Sequence, residues 1–417
     1  MKVLHTADLH LGQILYQNYE RGDEHAHYFK QLMQWCKDEH PDVFLLSGDV
    51  FDIQQPSSST KKAFNDFFVS LHRECPDMAI VITAGNHDSA SRIQADSAIW
   101  GCAGMRLVGM MPSVDDGKEW MEQHIVRLKQ GYIVAIPFVR GERKAMLQSI
   151  LDKIADENRE GKPVVMMAHS AVTGLDVTGH SYEIGTLETQ DLSSFGCGFD
   201  YLALGHIHKP QTIGHQDDSM LDEVTYTAPV ARYSGSALHV SCDEKYPHTV
   251  SVVDIDRHGG NVNIRQLRID ELRHFYELPL DGSSFNNTEE ALVAVKDFCD
   301  KYRSGYIRLR IDRKAPRPSD FIQQIYDILA VTGDEVRYNP KIIETGVETV
   351  ITENINKPVF AVADLQQMDD PMEFIEKIIH LYPQFDLEKI REDFKEVESE
   401  IERHEAAEAV ETAKKKK

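Results

Sequence analysis

Val43-Phe44-Leu45-Leu46-Ser47-Gly48-Asp49 reads as a short apolar strand that runs into a glycine and hands over a carboxylate. The arrangement recurs on both sides of it. Lys2 to Thr6 leads to Asp8-Leu9-His10, Ala79 to Thr83 to Gly85-Asn86-His87-Asp88, Val164 to Ala168 to His169, and Tyr201 to Leu204 to Gly205-His206-Ile207-His208. Five times a hydrophobic strand delivers polar side chains to its far end. Helices fall between the strands. Asp23 to His40 carries Phe29, Leu32, Met33 and Cys36 at helical spacing and is stopped by Pro41, and Ser57-Ser58-Ser59-Thr60 offers N-caps for a helix reaching Glu74. Short β-branched runs alternating with helices out to Asp256 give a layered α/β or α+β domain with its site at strand ends.

The chain has 417 residues, too many for one ordinary core, so a main domain and at least one smaller one are expected. The polar strand-end signals cease after Gly260, which assigns 1–260 to the main domain. A helix over Thr288 to Tyr302, strands at Ile307 to Ile311 and Val336 to Tyr338, and a helix near Asp320 to Ala330 give a small α+β domain over 261–350. The remainder, 351–417, reads as helical and highly charged, with helices over 371–381 and 387–409 and a disordered tail at Lys414 to Lys417. No apolar run approaches the roughly 20 residues that span a bilayer, so a soluble, cytoplasmic protein is expected. The six cysteines, Cys36, Cys75, Cys102, Cys197, Cys242 and Cys299, are widely scattered and read as reduced packing residues. A formal net charge of −23 opposes unaided tight binding to a polyanion.

Carboxylate, imidazole and amide form the ligand mix expected for borderline divalent cations such as Mn²⁺. Asp8 with His10, and His206 with His208, each place two donors within one short turn. Asp49 is the natural bridging ligand, because one carboxylate can hold two cations, and a pair about 3.5–4 Å apart can activate water and stabilise an in-line displacement at phosphorus. His87 is the candidate general acid for the leaving oxygen, and its neighbour Asn86 a ligand. Any one block could be an ordinary turn. Five in order, each after a strand, argue for a site.

These blocks resemble the calcineurin-like metallophosphoesterases, whose pattern is D-x-H, G-D, G-N-H-D/E, H, G-H-x-H. The resemblance implies a β-sandwich flanked by helices, one metal on Asp8, His10, Asp49 and His208, and another on Asp49, Asn86, His169 and His206. Thr6 to Gly12, Ser47 to Asp52 and Arg232 to Ser236 are most similar to the bacterial DNA-repair nucleases of that family. These work with an SMC-like coiled-coil ATPase, which implies DNA as substrate, a cap made by the small domain, C-terminal helices that grip the ATPase, and a homodimer within a heterotetramer. Phe374, Ile375, Ile378, Ile379 and Leu381 supply an apolar helix face for that grip, and packing on the protein's own domain is the plainer alternative. Archaeal relatives carry a histidine where this chain has Asp52, so that histidine's role is not carried over. Asp52 either orients His87 or caps a turn.

Other histidines, including His5, His25, His27, His180 and His239, are read as lying outside the metal site. Arg140, Arg143, Lys144, Lys209 and Arg232 are candidate phosphate contacts. Two further functions compete with a DNA nuclease: a phosphoesterase for small phosphodiesters or phosphoproteins, and a scaffold that binds DNA or the ATPase without cutting. The full ligand set speaks against the scaffold.

Overall fold

Alternation along Val43–Ser47 sets the layering of the molecule, because successive side chains on a strand face opposite ways. Val43 and Leu45 enter one apolar layer with Val3, Val81, Val165 and Ala203, whereas Phe44 and Leu46 enter another with Tyr28, Leu32, Phe64 and Phe68. The first layer lies between two sheets. The second lies between one sheet and the helices Gly22–Glu39, Ser58–Glu74 and Ala90–Gly101. A third cluster packs Leu147, Ile150 and Ile154 of the helix Lys144–Glu157 on Val134, Met166 and Leu202 of the other sheet. Helix, sheet, sheet and helix thus stack as a sandwich, the expected fold class.

The computed structural model describes residues 1–111, 120–141, 143–176, 189–332 and 335–345, together with Arg391. One sheet has seven strands, ordered Glu223–Thr227, Asn261–Arg268, Thr249–Ile255, Lys2–Thr6, Val43–Ser47, Ala79–Thr83 and Met105–Val108. The other has six, ordered Gln211–Thr212, Val230–Tyr233, Tyr201–Gly205, Val164–His169, Tyr132–Ala135 and Ile125–Arg127. Four neighbouring strands run parallel in each, from Lys2–Thr6 to Met105–Val108 and from Val230–Tyr233 to Tyr132–Ala135. Parallel strands leave their carboxyl ends on a common edge, where ligand-binding loops collect.

Local signals set the helix ends. Ser57 is the N-cap of its helix, its hydroxyl accepting from Thr60 N at 3.1 Å, and Asn287 caps Thr288–Tyr302 by accepting from Glu290 N at 2.8 Å. His40 closes the first helix in the left-handed region at φ 47°, just ahead of Pro41. Asn261–Arg268, grouped from sequence with the small domain, pairs antiparallel with Thr249–Ile255 instead, because its alternate residues Val262 and Ile264 face the inter-sheet layer.

Beyond it, Phe275–Leu278, Ser304–Asp312 and Glu335–Thr345 form a parallel three-stranded sheet that shares an apolar cluster with the helices Thr288–Tyr302 and Phe321–Thr332. This group and the sandwich belong to one compact unit, Met1–Gly346. A buried carboxylate, Glu24, joins them. It accepts from Tyr306 Oη at 2.6 Å, Arg337 Nη1 at 3.0 Å and Arg21 Nη2 at 2.6 Å, and Arg273 Nη1 lies 3.4 Å away. The helices expected at 371–381 and 387–409 lie outside the described residues apart from Arg391, as does His180. All six cysteines are free thiols, and among the described residues no helix is long and apolar enough to cross a membrane.

Two of the candidate phosphate contacts are committed elsewhere. Arg232 is 0 % exposed, with Nη1 2.6 Å from Asp218 Oδ2 and 2.7 Å from Thr212 Oγ1, and Nε 3.1 Å from Ser251 Oγ. Lys209 is held by Asp176 at 2.5 Å and Asp217 at 2.8 Å. A sequence does not reveal that an arginine is buried, and a buried guanidinium must find its carboxylate inside the protein. Replacing Arg232 with Met strands Asp218, so Arg232→Met is expected to lower stability by about 3–5 kcal/mol in denaturant unfolding. Adding Asp218→Asn to that variant should restore part of the loss.

Candidate metal centre

Loops that follow strands of both sheets meet at one edge. Asp8 N donates to Gly48 O at 3.1 Å, His10 N to Asp49 O at 3.1 Å, and Leu11 N to Val50 O at 3.0 Å, which zips the first loop to the second. Asp88 brings in the third. Its buried carboxylate accepts from Val50 N at 3.0 Å, Phe51 N at 2.9 Å and Gly85 N at 2.8 Å. Across the sandwich, Asp8 accepts from His206 N at 3.0 Å, and His169 Nδ1 meets the Ser47 carbonyl oxygen at 2.9 Å.

The backbone is bent to allow this convergence. Asp8, His10, Asp49 and His206 all have positive φ, at 52°, 45°, 46° and 97°, a conformation non-glycine residues seldom adopt and one that marks functional sites. Gly48 combines φ 82° with a position where a Cβ would collide with the His169 ring. At Gly85 a Cβ would collide with the Asp49 carboxylate and backbone nitrogen. Glycine is needed at both places, because the neighbouring loop occupies the space of a side chain.

Asp49 stands in the middle. Its Oδ2 is 3.8 Å from His10 Nε2 on one side and 3.3 Å from His169 Nε2 on the other, while Oδ1 accepts from His87 N at 2.8 Å. Beyond His169, the Asn86 amide oxygen lies 2.9 Å from His169 Nε2 and 2.9 Å from His206 Nδ1. Three groups have donor atoms within 4.8 Å of one another: Asp8 with His10 and His208, His10 with Asp49 and His87, and Asp49 with His169 and His206. All eight residues picked from the sequence therefore come together. His87 is the exposed member.

The donor chemistry suits divalent cations. Buried imidazoles and carboxylates alternate around Asp49, and His10 Nε2 is buried with no hydrogen-bond partner, the mark of a nitrogen whose natural partner is an ion. Such buried His and Asp clusters fit a two-metal site. Charge balance points the same way. Burial alone would pull His10 down, but Asp52, Asp49 and Asp8 outweigh it and push the imidazole up to about 9. Burial is likewise outweighed at His169, which Asp49 and Asp8 push up to about 9. Burial opposes the charge on Asp49 too, yet His169 and His10 hold that carboxyl well below the usual range. At Asp8 burial prevails over the neighbouring imidazoles and pushes the carboxyl up. Asp88 is pushed up to about 6 by burial and by Asp49, against its three N–H donors.

Several residues that hold the site have no signature in the sequence. Glu244 Oε1 lies 3.0 Å from His208 Nδ1, and hydrogen bonds from His208 and His248 overcome its burial to keep it below the usual carboxylate range. Asp52 does two things. Its carboxylate Oδ1 is 3.3 Å from His10 Nδ1, and its backbone carbonyl accepts from His87 Nδ1 at 2.8 Å. His25 anchors the first loop through Nε2 to Leu9 O at 2.8 Å. Three other histidines stand apart: His5 meets Tyr201 Oη at 2.9 Å, His27 meets Asp270 at 3.1 Å, and His239 meets Glu271 at 3.0 Å. Arg140, Arg143 and Lys144 are exposed, and Arg143 lines a small crevice that His169 also lines.

The sequence profile described as calcineurin-like phosphoesterase matches residues 1–210. The chain is 26 % identical over 348 residues to the SbcD component of the nuclease SbcCD from Rhodobacter capsulatus, covering 75 % of this chain and 81 % of that one. It is 29 % identical over 278 residues to the protein of the same name from Bacillus subtilis, covering 61 % and 66 %. The Escherichia coli K12 protein of that name is 27 % identical over 283 residues, covering 60 % and 65 %. The match thus spans just under two thirds of the length of the last two relatives.

Cation binding requires neutral imidazoles, and His10 and His169 hold their protons up to about pH 9 in the metal-free site. Protons therefore compete with cations below that pH. Binding of Mn²⁺ at pH 7 is expected to release protons and to strengthen as pH rises toward 9, which calorimetry in buffers of differing ionisation enthalpy reads directly. Equal heats in all buffers would contradict this.

Proposed function

Since the chain belongs to the calcineurin-like phosphoesterase family, we propose that it is a metal-dependent DNA nuclease, working in an assembly with an SMC-like coiled-coil ATPase. The position of Asp49 between His10 and His169 is the observation that carries the reading, because a shared carboxylate is what a two-cation centre requires. On this reading Asp8, His10, Asp49 and His208 hold one cation, and Asp49, Asn86, His169 and His206 the other. Mn²⁺ is the ion the mixed donor set suits best. A bound pair supplies positive charge that offsets the repulsion between an ionised phosphodiester and the attacking water, and makes that water more acidic.

The protein's own groups orient the reaction. His87 gives its Nδ1–H to the Asp52 carbonyl oxygen, which leaves Nε2 to carry the second proton. As the bond from phosphorus to the leaving oxygen breaks, that proton passes to the oxygen. Exposed Arg143 lines the crevice beside His169, and with Arg140 and Lys144 near it in sequence it is the candidate contact for flanking phosphates.

DNA as substrate and the ATPase as partner rest on the similarity to the SbcD proteins. The net charge of −23 supports a division of labour, in which the partner supplies most of the affinity for the polyanion. Membership of a homodimer within a heterotetramer belongs to the same reading, with the small sheet capping access to DNA and the C-terminal helices binding the coiled coil. The function is tested by assaying linear duplex DNA and an aryl phosphodiester, each with Mn²⁺. Cutting of the duplex is expected, and hydrolysis of the small ester alone would leave a general phosphodiesterase. His87 also stands close enough to His10 and Asp49 to be a ligand, and one variant separates the roles. His87→Ala should lower the rate by about 10²–10⁴-fold with metal content unchanged, whereas loss of one bound ion would make it a ligand.

A further inference from the structure

Carboxylates stand behind the imidazoles on one side of Asp49. Glu244, 3 % exposed, sets Oε1 3.0 Å from His208 Nδ1, and its other oxygen accepts from Val240 N at 3.0 Å and lies 3.3 Å from His248 Nε2. The carboxylate is therefore fixed from two directions. Asp52 sets Oδ1 3.3 Å from His10 Nδ1, a looser approach that faces the ring with a carboxylate without a hydrogen bond. On the other side the surroundings are less charged. His169 turns Nδ1 to the neutral carbonyl oxygen of Ser47 at 2.9 Å, with Asp8 Oδ1 farther off at 3.9 Å, and Asn86 offers an amide where the first side has the carboxylate of Asp8.

An imidazole whose far nitrogen faces a carboxylate is locked in one tautomer and is a stronger donor at the nitrogen that faces the metal. Two such imidazoles serve one lobe. We infer that Glu244 and Asp52 are positioning residues that make the lobe of Asp8, His10, Asp49 and His208 the tighter of the two divalent-cation positions, so that the protein loads one ion before the other. The inference rests on the ligand assignment proposed above and adds to it an order and a cause. Glu244 touches no substrate, and its effect passes through the ring of His208.

The test uses the full chain, stripped of metal and titrated with Mn²⁺ by calorimetry, with the electron paramagnetic resonance signal recorded at each step. The wild type should take up two ions in steps about tenfold or more apart, giving the signal of an isolated ion after the first and of a coupled pair after the second. Glu244→Gln keeps the shape and removes the charge. It should weaken the first step about 10–100-fold and leave the second nearly in place, drawing the steps together. Asp52→Asn should do the same through His10, and it carries the test alone if Glu244→Gln does not fold. An unchanged first step in both variants, or equal weakening of both steps, overturns the inference and leaves the ligand assignment standing. A wild-type chain that binds fewer than two ions overturns the assignment and the inference together.

Discussion

Two carboxylates, Asp8 and Asp49, are buried a few ångströms from five imidazoles, and the energetic cost of that charge governs the architecture around them. Burying an ion is unfavourable unless opposite charge or hydrogen bonds replace the lost water. Without cations the protein answers with protons: His10 and His169 keep theirs to about pH 9, and Asp8 tends toward its neutral form. The imidazolium groups occupy electrostatically the place that divalent ions would take. Glycines at close approaches, left-handed backbone at Asp8, His10, Asp49 and His206, and the three N–H groups on Asp88 all serve to keep this cluster assembled.

The location of available positive charge follows from the same accounting. Arg232 and Lys209 lie near the loops in sequence, but Asp218, Asp176 and Asp217 already neutralise them. Of the other candidate cations, Arg140, Arg143 and Lys144 are exposed, and Arg143 lines the crevice that His169 also lines. On a chain of net charge −23 that is little positive charge, so on the proposed function the cations would be the main local attraction for a phosphodiester.

Much of this was legible in the sequence, for a definable reason. Each metal-ligand candidate ends a strand or follows one within four residues, so strand periodicity is enough to find it, and the layered α/β fold follows from the strands that deliver them. One helix start was legible in the run Ser57 to Thr60, which offers capping hydroxyls and from which Ser57 takes the cap. Contacts between remote segments were not. Glu244 reaches His208 across 36 residues, and the Arg232 pairing depends on burial. In each case the partner is set by the completed fold, and composition along the chain carries no trace of it.

The seam at Glu24 has a mechanical consequence. One carboxylate there takes hydrogen bonds from Tyr306, Arg337 and Arg21, and Arg273 spans from its vicinity to Asp23 and Glu335. Sliding the small sheet by the length of one such bond would unpair several charges at once around a carboxylate that is itself buried. The joint thus resists partial displacement far more than a greasy contact of equal area would, and it holds the neighbouring loops in register as a clasp does, either fastened or released.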